Sequence, residues 1–545
     1  MDPEVLLDAG AVTRCRRRVH LEHDSSVADM PKAPPDPGVE QRIVDAAEHR
    51  RQVADRMARL LGADWTEVPS DVGRAHREQM TLAAMRDGAS YVSGAQLPAD
   101  PSGGRRGAID LLVRSGNGYV PVLVVRHKVT DPGSGARTSS LSSPLPGSGR
   151  LDPQRKARAQ SRDQLRLAHT VRLLQACGRN AAGRITGGVI GVDADVVVWH
   201  DLEAPTWPGG RSALAEYDIR FADRLAVAVA ARSGAEPLAH PSRITECRGC
   251  PWWPTCGRQL REARDVSLVV RGEDAVALRT VGVGTVDELA AMPPERAQSL
   301  PLTAAGPTDV VPLAKAWLRD LPLVRRVRQV DVPRADVEID VDMESYADSG
   351  AYLWGCWLSG ADVGENAGYR AFATWDPLPS DDEARSFAEF WSWFSSVRQR
   401  AYERGLTFRA YCYNELAENR WMLASAERFA GKPGVPTVEE VRGFIGSDEW
   451  VDLFVSVRDQ FLCPNGKGLK VIAPSAGFAW RDAEAGGENS MRWYRAAVGF
   501  DGAAPEDSQR QRLLQYNEDD VRATWTIRCW MTSGAVLDVP HLDDL

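Results

Sequence analysis

Between Val337 and Glu344 the chain reads Val-Glu-Ile-Asp-Val-Asp-Met-Glu, apolar residues alternating strictly with acids. On a strand this period puts Val337, Ile339, Val341 and Met343 on one face and Glu338, Asp340, Asp342 and Glu344 on the other. Four carboxylates on one face repel one another, and a divalent cation is a physical reason to keep the pair nearest the strand end, Asp342 and Glu344. An edge strand protected by its charges is the competing reading, and on this segment alone the two weigh equally.

A second acidic cluster lies in Gln515-Tyr-Asn-Glu-Asp-Asp-Val-Arg-Ala-Thr524, within a helical pattern that continues through Trp525, Ile527 and Trp530. Tyr516, Asp520 and Thr524 fall at i, i+4 and i+8 and so share a face. A helix delivering a carboxylate and a phenol to one point can supply a metal ligand and a hydroxyl that orients water. Glu518 suits a solvated face better than Asp520 does.

With Asp342-Met-Glu344 on a strand and Tyr516-Asn-Glu-Asp-Asp520 on a later helix, residues 331–545 resemble the DEDD, or DnaQ-like, exonucleases of the RNase H fold. The resemblance implies hydrolysis with two Mg2+ or Mn2+ ions held by Asp342, Glu344, Asp520 and one middle acid, with Tyr516 at the attacking water. Arg409-Ala-Tyr-Cys-Tyr-Asn-Glu-Leu-Ala-Glu-Asn419 is similar to the family's strand-then-helix middle element and offers Glu418 as that acid, with Glu415 behind it. Many family members have aspartate there. Asp452 is a further candidate ligand, and Lys470 in Gly-Leu-Lys a candidate phosphate contact.

Cys247-x-x-Cys250-x5-Cys256 gathers three thiols on a turn-rich stretch, and Cys15 is the candidate fourth ligand from far upstream. One early cysteine with a late trio resembles the iron-staple nucleases of the AddB and RecB-like group, which implies a [4Fe-4S] cluster. Zinc is the rival, since four thiolates also suit a tetrahedral ion, but zinc ribbons usually present two CxxC knuckles and this chain has one. Cys177, Cys356, Cys412, Cys463 and Cys529 lack such spacing and read as small buried hydrophobes.

The staple implies a PD-(D/E)XK fold over residues 1–262. His49 is similar to that family's helical histidine, Asp110 to its metal-binding aspartate and Gln164 to its helical glutamine; His49 and Asp110 are therefore candidate metal ligands. The acid-x-lysine motif fails, because Pro121-Val-Leu-Val-Val-Arg-His-Lys128 puts Leu123 and Val125 at those places. Without the acid and the lysine this site is expected to cut little or not at all, unless Arg126, His127 or Lys128 substitutes, leaving the domain as a nucleic-acid clamp.

These groups need a scaffold. Gly107–Val113 and Tyr119–Val125 read as paired strands, residues 131–153 as a mobile Gly/Ser/Pro-rich loop, Gln154–Cys177 as a helix and Ile185–His200 as strands again. Residues 263–330 read as short helices forming a linker, in which Leu278 to Leu289 resembles a helix-hairpin-helix whose Gly282 and Gly284 let backbone amides approach a phosphate. The fold class expected is α/β multidomain: a PD-(D/E)XK-like domain (1–262), a helical linker (263–330) and an RNase H-like domain (331–545).

At 545 residues, with 43% hydrophobic and 26% charged residues, the chain is ordinary globular protein and too long for one core. A net charge of −9 excludes a generally basic coat but not local phosphate-binding patches. No apolar run is long enough for a membrane span or a signal peptide, which places the chain in the cytoplasm without membrane contact. The leading expectation is a metal-dependent nuclease acting on single strands or ends, DNA favoured over RNA, beside a helicase or repair partner. The alternative is a non-catalytic nucleic-acid-binding scaffold in a repair complex, sensitive to redox state through the cluster.

Overall fold

A computed structural model describes residues 5–34, 37–158, 160–300, 302–303 and 306–545. The chain divides into two units, Met1–Gln259 and Leu260–Leu545. The segment expected as a separate linker is part of the second unit. Among the described residues no helix is long and apolar enough to cross a membrane.

The first unit is built on an eight-stranded mixed sheet in the order Trp65–Glu67, Tyr91–Asp100, Arg105–Ser115, Gly118–Val124, Thr186–Ile190, Val196–Asp201, Ala136–Ser140, Arg150–Asp152. The expected hairpin is there: Arg105–Ser115 and Gly118–Val124 pair antiparallel across a turn in which Gly116 has φ +61°. The helix Ser161–Ala176 buries Leu165, Val171 and Leu174 against the sheet residues Leu112 and Leu123. The expectation of a mobile loop over 131–153 was wrong. Ala136–Ser140 pairs with both Val196–Asp201 and Arg150–Asp152, and Thr130–Pro132 pairs with Arg155–Ala157. Edge pairing is made by backbone amides and carbonyls, which a composition of small polar side chains does not reveal. Ser139 is buried because its hydroxyl accepts from Trp199 Nε1 at 2.9 Å.

The second unit opens with short helices, Glu273–Thr280, Val286–Ala290, Pro294–Gln298 and Val310–Leu318, around an apolar cluster that includes Leu278, Val283, Leu289 and Val310. Gly282 takes φ +82° in the turn as expected. The amides expected to face a phosphate are taken, however: Glu288 accepts from Gly284 N at 2.8 Å and Thr285 N at 2.9 Å. Thr285 and Glu288 form a capping box, and an internal carboxylate thus fills the anion position at that helix start.

Beyond it lies a five-stranded sheet ordered Gly368–Ala373, Gly350–Gly360, Val337–Tyr346, Phe408–Cys412, Trp450–Asp452. Val337–Tyr346, the acidic strand, is central: antiparallel to Gly350–Gly360 and parallel to Phe408–Cys412. Its apolar face packs on Phe387, Phe390 and Phe394 of the helix Asp382–Glu403. Its acidic face is covered by the C-terminal helix Asp507–Met531, so the edge-strand reading is excluded; Glu338, Asp340 and Glu344 are buried and Asp342 is half-buried.

Candidate functional site

Burying an acidic face requires each charge to be answered, and the four acids are answered in two ways. Asp340, fully buried, receives Arg528 Nε at 3.1 Å and Nη2 at 2.7 Å. Glu338 takes Arg528 Nη1, Arg334 at 2.7 and 2.8 Å, and the Tyr411 hydroxyl. Against the cost of burial, Arg334 and Arg528 hold the Glu338 carboxyl down to about 2. Repulsion among the four acids is therefore relieved for this pair without a metal, by Arg528 from a distant helix.

Among the described residues no arginine pairs with Asp342 or Glu344. One oxygen of each is held by a neutral donor: Asn517 Nδ2 reaches Asp342 Oδ2 at 2.8 Å, and Ser490 Oγ reaches Glu344 Oε2 at 3.2 Å. Asp520, from the C-terminal helix, is held likewise by Trp480 Nε1 at 2.6 Å. One ligand oxygen from each of Asp342, Glu344 and Asp520 lies within 4.8 Å of the others, the sole group of its kind among the described residues. Burial and mutual repulsion push Asp342 well above the usual carboxylate range, and burial with Asp520 pushes Glu344 up to about 8. Asp520 is raised by burial despite the nearby Lys470. Hard oxygen donors in this number suit Mg2+ or Mn2+, and the excess negative charge calls for a cation.

Glu418 stands just outside this trio. It is buried in the first turn of the helix Leu416–Arg428, its Oε2 has no hydrogen-bond partner, and its charge is felt by Asp342. Burial first, then Asp452 and Glu415, push it up to about 8. Asp452 itself caps the helix Leu453–Gln460, accepting from Phe454 N and Asn414 N. Tyr516 and Thr524 are buried on the same face of the C-terminal helix as Asp520, and Glu518 pairs with Arg481 outside it. Lys470 Nζ donates to Tyr516 Oη at 3.2 Å. Asn517, Ser490 and Trp480 were missed from the sequence. Only Asn517, adjacent to Tyr516 in the acidic run, carried any local signal.

In the first unit Cys15, Cys247, Cys250 and Cys256 line one small cavity with Arg17, Arg18 and Trp252, so the upstream cysteine does meet the trio. Glu246 ties the two segments, accepting from Cys15 N at 2.6 Å and pairing with Arg18. Burial raises the Cys247 and Cys250 thiols and pushes Cys256 up to about 11. Cys356, Cys412 and Cys463 are buried as expected, whereas Cys177 and Cys529 are only half-buried.

Asp110 borders a cleft of about 690 Å3 and accepts from Val124 N at 2.8 Å, with Arg50 at 3.8 Å. His49 donates Nε2–H to Gly191 O at 3.2 Å, and Gln164 accepts from Trp207 Nε1 at 3.0 Å. Leu123 and Val125 lie in the apolar core. Arg126 is paired with Asp45 at 3.3 Å and His127 with Asp163 at 2.8 Å, while Lys128 is exposed.

Residues 427–532 match the family described as the RNase_H superfamily. The match takes in Lys470, Trp480, Ser490, Tyr516 and Asp520, so the second unit carries an RNase H-like part. No curated protein and no solved structure matches the chain.

Proposed function

We propose that the second unit is a metal-dependent exonuclease that hydrolyses phosphodiester bonds of DNA, in single strands or at ends. The observation that carries this reading is the sorting of acids on one buried strand face: arginines neutralise Glu338 and Asp340, whereas Asp342, Glu344 and Asp520 converge with only neutral donors on them. An RNase H-like part in the same unit supports a nuclease class of chemistry. Asp342, Glu344 and Asp520 would hold Mg2+ or Mn2+, with the unpartnered oxygen of Glu418 as fourth ligand. Divalent cations there supply Lewis acidity and a nucleophile at neutral pH. Asn517, Ser490 and Trp480 fix the carboxylates, so little reorganisation accompanies reaction. The Tyr516 hydroxyl, on the same helical face as Asp520, orients the attacking water. Incubation of wild type and Asp342→Ala with labelled DNA and Mn2+ tests this: wild-type cleavage lost in the variant is expected, and equal inactivity would leave a nucleic-acid-binding scaffold instead.

For the first unit we propose a PD-(D/E)XK-like domain whose site does not cut. Guanidinium groups of Arg50 and Arg126 already face Asp110 and Asp45, apolar residues fill the acid and lysine places, and His49 spends its donor on a carbonyl. The four cysteines are proposed to hold a [4Fe-4S] cluster. The four sulfurs line one cavity, and the chain presents a single CxxC where zinc ribbons usually present two. Anaerobic purification followed by absorbance and metal analysis is expected to give a brown, iron-containing protein; a colourless one with stoichiometric zinc would overturn the cluster.

A further inference from the structure

Lys470 is the cation that the carboxylate trio leaves unexplained. It sits on the short helix Leu469–Ile472 and is exposed, yet its ammonium is turned inward, 3.2 Å from Tyr516 Oη and 4.6 Å from the centre of that ring. Its charge acts on Asp342, Glu344 and Asp520 alike. Neighbouring cations are committed elsewhere: Arg481 to Asp519 and Glu518, Arg512 to Asp482 and Glu484, Arg528 to Glu338 and Asp340. The hydrogen bond of Lys470 goes to a neutral phenol, and among the described residues it forms no ion pair. An exposed ammonium beside a concentrated negative charge, not paired with it, is available to a ligand anion.

We propose that Lys470 binds a non-bridging oxygen of the scissile phosphate. The inference rests on the nuclease reading and names the contact by which that site takes its substrate. Four carboxylates and two divalent cations cancel in charge. A phosphodiester entering that site adds one negative charge and develops a second during attack, and Lys470 is the group placed to offset it. Lysine suits this as a compact point charge on a flexible stem. Its hydrogen bond to Tyr516 parks the ammonium within reach of the phosphate, beside the hydroxyl at the attacking water.

The test compares wild type, Lys470→Met, Lys470→Arg and Asp342→Asn in three measurements: oligothymidylate binding in Ca2+ across a salt series, Mn2+ affinity without DNA, and cleavage in Mn2+. For Lys470→Met we expect binding weakened severalfold and the slope of log affinity against log salt reduced by about 0.7, the contribution of one phosphate contact on a single strand. Mn2+ affinity should be unchanged or tighter, because a repelling charge has gone. Cleavage should fall at least about tenfold, with most of it recovered in Lys470→Arg. Unchanged DNA affinity and salt slope would overturn the proposal, as would weakened Mn2+ binding in step with lost activity, which would make Lys470 a positioning residue for the carboxylates. If Asp342→Asn matches wild type in both Mn2+ binding and cleavage, the nuclease reading itself falls and Lys470's role with it; normal Asp342 dependence with a silent Lys470→Met overturns the lysine contact alone.

Discussion

Arg528→Met removes the charge that lets the acidic strand lie under the C-terminal helix. In the folded protein Arg528 is fully buried, grips both oxygens of Asp340, bonds Glu338 and lies 4.2 Å from the centre of the Tyr411 ring. Methionine fills much of the same volume but leaves Asp340 ionised and buried, or protonated at a cost, while Glu338 keeps Arg334 and Tyr411. Breaking a buried pair by deleting one member costs about 3–5 kcal/mol. For a unit of this size, at roughly 2 °C per kcal/mol, Tm should fall by about 6–10 °C. The double variant Arg528→Met, Asp340→Leu replaces the pair with apolar contact and should recover most of that loss. Calorimetry on the full chain, following the transition of the second unit, measures both. A fall below about 2 °C in the single variant, or a double variant no more stable than the single, would refute the account of how this face is neutralised.

In the metal-free protein Asp342→Asn should melt at or above wild type, because it deletes a repelled charge, while Mn2+ at about 100 times its Kd, which should stabilise wild type by about 2.7 kcal/mol, should leave the variant nearly unchanged. Thermal scans with and without Mn2+ check both halves. Burial and Asp520 push Glu344 from the ordinary value of 4.5 up to about 8, so between those values the folded metal-free protein keeps a proton that the unfolded chain has released. Its contribution to stability is therefore lost as pH rises through that window, and the Tm gained with Mn2+ should be larger at high pH than at low pH in paired scans. Gly355 lies opposite Asp342 in the sheet, and a Cβ there would stand 1.7 Å from Asn517 Oδ1. Gly355→Ala should push the C-terminal helix off Asp342 and weaken Mn2+ binding by at least about tenfold in calorimetric titration, and an unchanged affinity would show that Asn517 does not position the ligand.

Local periodicity carried a large part of the site. Strand alternation assigns Asp342 and Glu344 to one face, and helical spacing aligns Tyr516 with Asp520, because both follow from backbone geometry over a few residues. The same local logic misjudged 131–153, where backbone pairing to a distant strand decides the structure, and the Gly284 amide, where the nearby carboxylate of Glu288 competes for the anion position.

What the chain determined by itself was which acids share a face and which cysteines share a turn. Which acids keep their charge was decided only by folding: Arg528 reaches Asp340 across 188 residues, Asn517 reaches Asp342 across 175, and Ser490 reaches Glu344 across 146. Such contacts depend on how helices dock on one sheet, Asp507–Met531 for Arg528 and Asn517 and Gly487–Val498 for Ser490, a long-range packing outcome that no window of sequence contains. One docked helix thus neutralises the first half of the acidic strand and adds a third carboxylate to the second.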